Sequence, residues 1–225
     1  MARPRGIDDE RLLSAAQALL FEVGPAAFTL QKSARRAGVS AATLIKRFGS
    51  KQELLLALNR RWAASIEPGM TAAAEGHDTP LGRLRAAALW GYADLDSPAN
   101  AASQLAALAL DLQDEKMREL LAAGWGTAQH HLARLAQEAI DAGELTGQPP
   151  AGQAARILLA AGEGTCLAWS VAPSGSLVSR VEADLDAILA AWSTGTAFSG
   201  PGRAGPGWAG RRCGPARPGG SGAGR

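Results

Sequence analysis

The 225-residue sequence predicts an all-α protein, with an N-terminal three-helix helix-turn-helix domain and a larger C-terminal helical domain. Apolar residues recur at spacings of three and four in nearly every segment, which is the pattern of amphipathic helices. Strand signals are almost absent, because β-branched residues are few and apolar and polar residues do not alternate. The predicted domains are residues 1–50, residues 51–194 with a fourth helix at about 50–70 as the link, and a disordered tail at 195–225.

Charge is distributed unevenly along the chain. Residues 1–61 hold eleven Lys and Arg against five Asp and Glu, whereas residues 62–194 hold seven against sixteen. The last 31 residues contain five arginines, eleven glycines and no acids, a composition typical of disorder. A basic N-terminal segment followed by an acidic segment suits a protein whose N-terminal segment binds phosphate groups. Charge also segregates in proteins without such a partner, so both interpretations stay open.

Membrane and export signals are not recognised in the sequence. No apolar run reaches the roughly 18 residues that span a bilayer. The opening MARPRGIDDER has no apolar stretch behind its arginines, so we expect no secretory signal and a cytoplasmic protein. In that compartment Cys166 and Cys213 are expected to be reduced thiols.

The first two helices have clear start and stop signals. Asp8 or Asp9 can cap the first helix, and Gly24-Pro25 can end it. Thr29 can cap a short second helix that ends at Gly38, where a tight turn needs little steric room.

The next two helices begin with serine caps. Ser40 can cap a third helix that runs to about Phe48, and the apolar side chain of Val39 can pack beneath the turn before it. Ser50 can cap a fourth helix, with Glu53 three residues on to complete a capping box. Two short helices joined by a glycine-containing turn form a helix-turn-helix, whose second helix enters the major groove of DNA.

Five further helices are predicted beyond Pro68, at 80–96, 99–113, 115–142, 150–170 and 177–193. Helices 115–142 and 177–193 carry apolar seams that suit packing against another helix at a shallow angle. A core stripe within one chain and a subunit contact fit this periodicity equally well.

The third helix and its flanks supply the candidate DNA contacts. The exposed positions of this helix are small or cationic, so its backbone can approach DNA closely. Thr43 can offer a methyl or a hydroxyl group to a base edge, and Lys46 and Arg47 can reach phosphate. Lys51 lies at a helix N-terminus, where its charge and backbone N–H groups can meet a phosphate together. The complete candidate set is Thr29, Ser40, Ala41, Ala42, Thr43, Lys46, Arg47 and Lys51.

Residues 9–58 closely resemble the DNA-binding domain of the TetR family of bacterial regulators. The resemblance lies in LLSAAQALLFEVG, Phe28-Thr29, Ala34, AGVS at 37–40, Thr43-Leu44, FGSK at 48–51 and Leu54-Leu55. Four positions depart from the family pattern. Ala42 stands where glycine is usual, Ile45 where tyrosine is usual, Arg47 where tyrosine or histidine is frequent, and Ser33 where an aliphatic residue is usual. The tyrosine's phosphate contact is therefore not transferred to Ile45.

The resemblance implies a homodimeric repressor that a small-molecule effector releases from a near-palindromic double-stranded operator. The last two helices, 150–170 and 177–193, would pair across the dimer axis. Two recognition helices would then lie about 34–36 Å apart on the DNA.

The sensing domain is less clearly marked. Apolar and aromatic side chains can line a cavity between its helices, although each is also an ordinary core residue. The candidates are Trp62, Trp90, Met117, Trp125, Cys166 and Trp169. Asp111, Gln129, His130 and Glu163 are polar residues nearby that could orient a ligand.

Other chemistries have little support in the sequence. His130 and His131 point about 100° apart on a helix, so they make a poor metal site, and no metal is predicted. No phosphate-binding loop or dinucleotide fingerprint is present, so no cofactor and no enzymatic activity are predicted. An apolar neighbourhood would raise the pKa of Cys166 and make it inert.

One alternative function stays open, an all-helical ligand-binding or interaction protein with a non-functional helix-turn-helix.

Overall fold

The computed structural model describes residues 8–193, and within that range the chain is entirely helical apart from its connections. The helices are α1 (Asp9–Ala27), α2 (Leu30–Ala37), α3 (Ala41–Phe48), α4 (Lys51–Ala74), α5 (Pro80–Leu89), α6 (Pro98–Asp111), α7 (Glu115–Asp141), α8 (Ala151–Val171) and α9 (Leu177–Ser193). The predicted all-α class is confirmed. The predicted tail at 195–225, with Cys213, lies outside the described residues.

The four N-terminal helices begin at the residues that the sequence predicts. The side chains of Asp8, Thr29, Ser40 and Ser50 each accept a hydrogen bond from a backbone N–H in the first turn. Gly24, with φ 69° and ψ 169°, interrupts α1 ahead of Pro25. These caps satisfy N–H groups that have no partner inside the helix, and each contributes about 1 kcal/mol.

Two hydrophobic clusters hold the described chain together. The first joins α1, α2, α3 and the start of α4 around Leu12, Phe28 and Leu44. The second joins α4, α5, α7, α8 and α9, with Leu132, Leu158 and other buried residues at its centre. Burying a large apolar side chain contributes about 1.5–3 kcal/mol, so these two clusters dominate the stability.

Helix α4 belongs to both clusters. Its first half contributes Leu54 and Leu58 to the first cluster, called the N-terminal cluster below. Its second half contributes Ile66 and Met70 to the second, called the C-terminal cluster. Helix α6 also packs along α1. Helix α4 therefore connects the two clusters directly.

Two expectations about helix ends are wrong. Residues 80–96 are not one helix, because Gly91 takes φ 93° and only a single 3-10 turn (Ala93–Leu95) follows α5. Helix α4 does not stop near residue 70 but continues through Pro68 to Ala74. The buried residues Ile66 and Met70 lie on either side of Pro68, and their packing compensates for the hydrogen bond that proline cannot donate.

Within residues 8–193, none of the helices combines the length and the apolar character that crossing a bilayer would require.

Candidate DNA-binding surface and sensing domain

A left-handed turn positions α3 against the N-terminal cluster. Gly38 has φ 71° and ψ 32°, and its N–H donates back to the carbonyl oxygens of Ala34 and Arg35. The N–H of Val39 donates to Ala34 at 2.9 Å. Leu44 is fully buried and anchors α3 on the core. The opposite face of α3 is thereby left to solvent.

The exposed face of α3 carries small, hydroxyl and cationic side chains. Ala42, Thr43, Ile45 and Lys46 are exposed, and Ala41 is half-buried. Lys46 makes no hydrogen bond or ion pair with any residue that the structure describes. This face therefore offers an unpaired ammonium group beside a region where the backbone is accessible.

The predicted hydroxyl contacts already have local partners. Ser40 Oγ accepts from the Thr43 N–H at 3.1 Å, and the hydroxyls of Ser40 and Thr43 lie 2.9 Å apart. Thr29 Oγ1 accepts from the Lys32 N–H at 3.2 Å. Thr29 and Ser40 therefore cap α2 and α3, and a direct base contact by either hydroxyl stays a prediction.

Arg47 is paired with Asp9 at the start of α1. Its Nε and Nη2 donate to the two carboxylate oxygens of Asp9, with Nη2 to Oδ2 at 2.8 Å. These hydrogen bonds, with the attraction of the carboxylate charge, raise the pKa of the Arg47 guanidinium above its ordinary value. Sequence reasoning missed Asp9 because 38 positions separate the partners, and only the tertiary fold of the N-terminal helices brings them together.

Lys51 is tied into the domain instead of extending freely from it. Its Nζ donates to the carbonyl oxygen of Pro25 at 3.2 Å and lies 5.6 Å from the centre of the Phe28 ring. Lys51 thus connects the start of α4 to the end of α1 and to Phe28 just beyond it. Its predicted phosphate contact stays a prediction, and its loss would also disturb this connection.

The six predicted sensing residues occupy three kinds of environment. Cys166 and Trp169 are buried in the C-terminal cluster, and Trp62 and Trp90 pack against it while partly buried. Met117 is buried elsewhere, with the amide of Asn59 3.4 Å from its sulfur. The side chain of Trp125 is 37% exposed. The structure thus brings four of the six to one core.

The tryptophans of this set fill notches above glycines. A Cβ on Gly69 would overlap the Trp90 indole, and a Cβ on Gly124 would overlap the Trp62 indole. Tyr92 lies in the same way against Gly162 of α8. These rings therefore occupy space inside the helical bundle that a cavity would otherwise take.

Two surface grooves are present in the described part of the chain. One, of about 500 Å³, runs between α8 and α9 along Ala160, Gly164, Ala168, Ala187 and Ile188. The other, of about 530 Å³, lies between α4 and α7 beside Glu67, His130, His131 and Arg134. None of the six predicted sensing residues lines either groove.

The polar candidates of the sensing domain do not converge on one point. Asp111 accepts from the Asn59 amide at 3.4 Å near the end of α6, and partial burial raises the pKa of its carboxyl. His130 lines the α4–α7 groove. Glu163 of α8 lies beside the phenol of Tyr92 and the thiol of Cys166. Burial raises the pKa of the Tyr92 phenol and of the Cys166 thiol. A protonated Cys166 thiol is a poor nucleophile at neutral pH.

Comparisons with known proteins agree with this geometry. Residues 12–58 match the family model described as bacterial regulatory proteins, tetR family. The chain is 33% identical over 111 residues to the HTH-type transcriptional regulator BetI of Rhizobium meliloti (strain 1021). The solved structure of SmeT, the repressor of the Stenotrophomonas maltophilia multidrug efflux pump SmeDEF, is 27% identical with a TM-score of 0.61. That match covers 82% of this chain and 90% of SmeT. Residues 12–58 are therefore similar to the DNA-binding domain of the TetR family.

Coverage differs between the comparisons. The alignment with BetI includes 49% of this chain and 55% of the relative, so this chain spans about half of the curated relative it matches. A TetR-family transcriptional regulator from Agrobacterium tumefaciens has a TM-score of 0.68 at 20% identity, over 85% of this chain and all of that one. The N-terminal domain and the larger helical domain therefore both share the fold of that regulator.

Proposed function

We propose that this protein is a DNA-binding transcriptional regulator of the TetR family, whose α3 enters the major groove of its operator. The observation that carries the proposal is the presentation of α3. Buried Leu44 holds one face against the core, while Ala42, Thr43 and Lys46 form an exposed face. Small side chains allow close approach to base edges, and Lys46 supplies charge for phosphate.

A homodimer formed through α8 and α9 completes the proposed regulator. Leu167 and Val171, one turn apart on α8, are 53% and 80% exposed and form a small apolar patch that a partner helix could cover. The adjoining groove is lined mainly by small residues, so a second pair of helices can approach closely. A twofold dimer of this kind would place two copies of α3 on a near-palindromic site.

Release by a small-molecule effector is the proposed control, with repression as the outcome. SmeT is named as a repressor, and another solved structure is that of a SmeT–triclosan complex, 26% identical to this chain. Helix α4 contributes to both hydrophobic clusters, so an effector that displaces its second half would also displace its first. Linkage requires that such an effector weaken DNA binding by the same factor by which DNA weakens effector binding. The proposal includes a cytoplasmic location and no enzymatic role.

The alternative function is an all-helical binding protein whose helix-turn-helix no longer holds DNA. Two observations favour it, the exposed Ile45 and the Asp9 carboxylate that partly neutralises Arg47. It predicts no sequence preference on DNA and the same weak binding for variants of α3.

Selection from a random DNA pool with the purified protein separates these functions. We expect enrichment of a near-palindromic site, bound by a dimer with an affinity that falls steeply as salt rises. Lys46→Gln should weaken binding and reduce the salt slope by about 1, because one phosphate contact is lost. Lys46 is preferable to Lys51 for this test, since Lys51 also has structural contacts.

Lys116→Gln is the matched control, because it removes the same charge from an exposed position on α7. Its operator affinity should equal that of the wild-type protein. If no site is enriched, or if Lys46→Gln and Lys116→Gln bind alike, the proposed function is wrong and the alternative is favoured.

A further inference from the structure

We propose that Asp9 determines how strongly this protein discriminates its operator from other DNA, by holding and partly neutralising Arg47 at the edge of the recognition helix. The inference rests on the proposed DNA-binding function. It assigns a role to an acidic residue at a surface where acidic residues oppose binding.

The geometry of the pair fixes the direction of the guanidinium. Two N–H groups of Arg47 donate to the two oxygens of Asp9, which is the fork-to-fork arrangement of arginine and carboxylate. A guanidinium carries five N–H donors in one plane, so three remain for another acceptor. These three point in a direction set by Asp9 instead of sampling the whole surface.

The pair lies at the surface that is expected to face DNA. The side chain of Arg47 is 58% exposed and that of Asp9 is 43% exposed. Lys46, the neighbour of Arg47, lies on the exposed face of α3. Exposed ion pairs contribute little to folding stability, so stability alone is a poor reason for this one.

Asp9 differs in its partner from the other acids of α1 that form ion pairs. Glu22 pairs with Arg36 of α2, and Glu10 pairs with Arg61 of α4. Within residues 8–193, the arginine of α3 is held by Asp9. Asp9 is thus the α1 carboxylate that acts directly on the recognition helix.

The physical consequence differs between operator and other DNA. Non-specific affinity comes from cations that approach any phosphate and release counterions, and a carboxylate beside Arg47 opposes that approach everywhere. A docked operator presents one phosphate arrangement, and an arginine held in advance loses less conformational freedom when it meets that arrangement. Asp9 therefore lowers non-specific affinity more than operator affinity.

Asp9→Asn tests this inference, because it removes the charge and nearly preserves the shape. Operator and unrelated duplex are titrated at several salt concentrations with the full chain, after circular dichroism and thermal unfolding establish that each variant is folded. We expect non-specific affinity to rise by about three- to tenfold near 0.1 M salt and its salt slope to steepen by up to about 1. Operator affinity should change less, so the ratio of the two affinities falls.

Glu10→Gln is the matched control. It neutralises the adjacent residue of α1, while Arg61 keeps its hydrogen bonds to Ser14 at 3.0 Å and to Gln17. Its affinity ratio should remain that of the wild-type protein. If Asp9→Asn and Glu10→Gln change both affinities alike, only net charge matters and the inference is overturned.

The double variant Asp9→Asn with Arg47→Gln shows whether Asp9 acts through Arg47. The gain in non-specific affinity seen in Asp9→Asn should disappear, and a gain that persists overturns the inference. One outcome is that the wild-type protein binds a selected operator through Lys46 while Asp9→Asn keeps the wild-type ratio of operator affinity to non-specific affinity. In that case this inference fails and the proposed function stands. If no operator is found, the inference falls with the proposed function.

Discussion

The indole of Trp62 on α4 lies directly over Gly124 on α7, and the side chain of Ile66 closes the same notch. A methyl group at position 124 would overlap the ring, so the absence of a side chain permits this approach. Helices α4 and α7 make the most extensive contact between any two helices of the described chain. Trp62, which the sequence predicts as a ligand contact, is therefore also a packing residue at this contact.

Gly124→Ala should destabilise the protein although alanine favours helices. The added methyl overlaps Trp62, and overpacking costs about 1–3 kcal/mol, whereas replacing a helical glycine by alanine contributes about 1 kcal/mol. We expect the free energy of unfolding in urea to fall by about 1 kcal/mol. Gly126→Ala on the same helix is the control, since a Cβ there meets nothing within 4 Å, and it should be stabilising. Equal effects of the two variants would contradict a close contact at Gly124.

Ser33→Ala should stabilise the protein by about 1 kcal/mol. Ser33 is fully buried in α2, and its Oγ has no hydrogen-bond partner among the described residues. An unsatisfied buried hydroxyl carries a desolvation cost of about 1–3 kcal/mol, which alanine removes. Ser65→Ala is the control at an exposed position of α4, where the hydroxyl donates only to the Trp62 carbonyl oxygen of the same helix. It measures the gain from helix propensity together with the loss of that local, exposed hydrogen bond. A Ser33→Ala protein no more stable than Ser65→Ala would indicate that the buried hydroxyl has a partner in solution.

His131 should make the protein less stable in mild acid. It is buried between α7 and α4 with its Nε2 unpartnered, and the charged groups around it are Glu67, Arg134, Glu138 and the neighbouring His130. Burial, with the Arg134 charge, lowers the pKa of His131 below its ordinary value of 6.5, even though Glu67 opposes the shift. The unfolded chain therefore takes up the proton first, and stability is lost as the pH falls through about 6.5.

The measurement is urea unfolding between pH 7.5 and 5.5 for the wild-type protein and for His131→Leu. Leucine cannot titrate, so the variant should lose less stability than the wild-type protein over this interval. Parallel losses would assign the pH dependence to other groups.

Leu167→Glu should dissociate the proposed dimer while leaving the fold intact. Leu167 is exposed on α8 beside the α8–α9 groove, and a carboxylate there would be buried without a partner in a dimer. Sedimentation analysis should show a monomer with the helical content of the wild-type protein. Leu110→Glu is the control, because Leu110 is similarly exposed on α6, and it should leave the oligomeric state unchanged. A dimer that survives Leu167→Glu would place the interface elsewhere.

Much of the N-terminal domain could be predicted from the sequence because its signals are local. Thr29, Ser40 and Ser50 cap helices through backbone N–H groups three residues away, and Gly38 adopts the left-handed turn that such a motif needs. These interactions are decided within one turn of chain, so residue type and spacing suffice. The all-α class follows for the same reason, since helical periodicity is a local property.

The long-range partners could not be predicted in this way. The continuation of α4 past Pro68 depends on burial of Ile66 and Met70 between other helices. The end of α5 before Gly91 is different, because it is a local signal that the predicted helix 80–96 overlooked. The sequence predicts cavity contacts for Trp62 and Trp90, but whether an indole lines a cavity or fills a notch depends on the helix opposite it.

The sequence by itself therefore determined the helical class, the positions of the N-terminal caps and the exposed, cationic character of α3. Only the tertiary structure decided that Arg47 pairs with Asp9, that Lys51 is tied to Pro25, and that tryptophans rest on glycines. The physical reason is the range of the interactions. Caps and turns are settled by neighbours along the chain, whereas ion pairs and notches form between residues that only the packing of distant helices brings together.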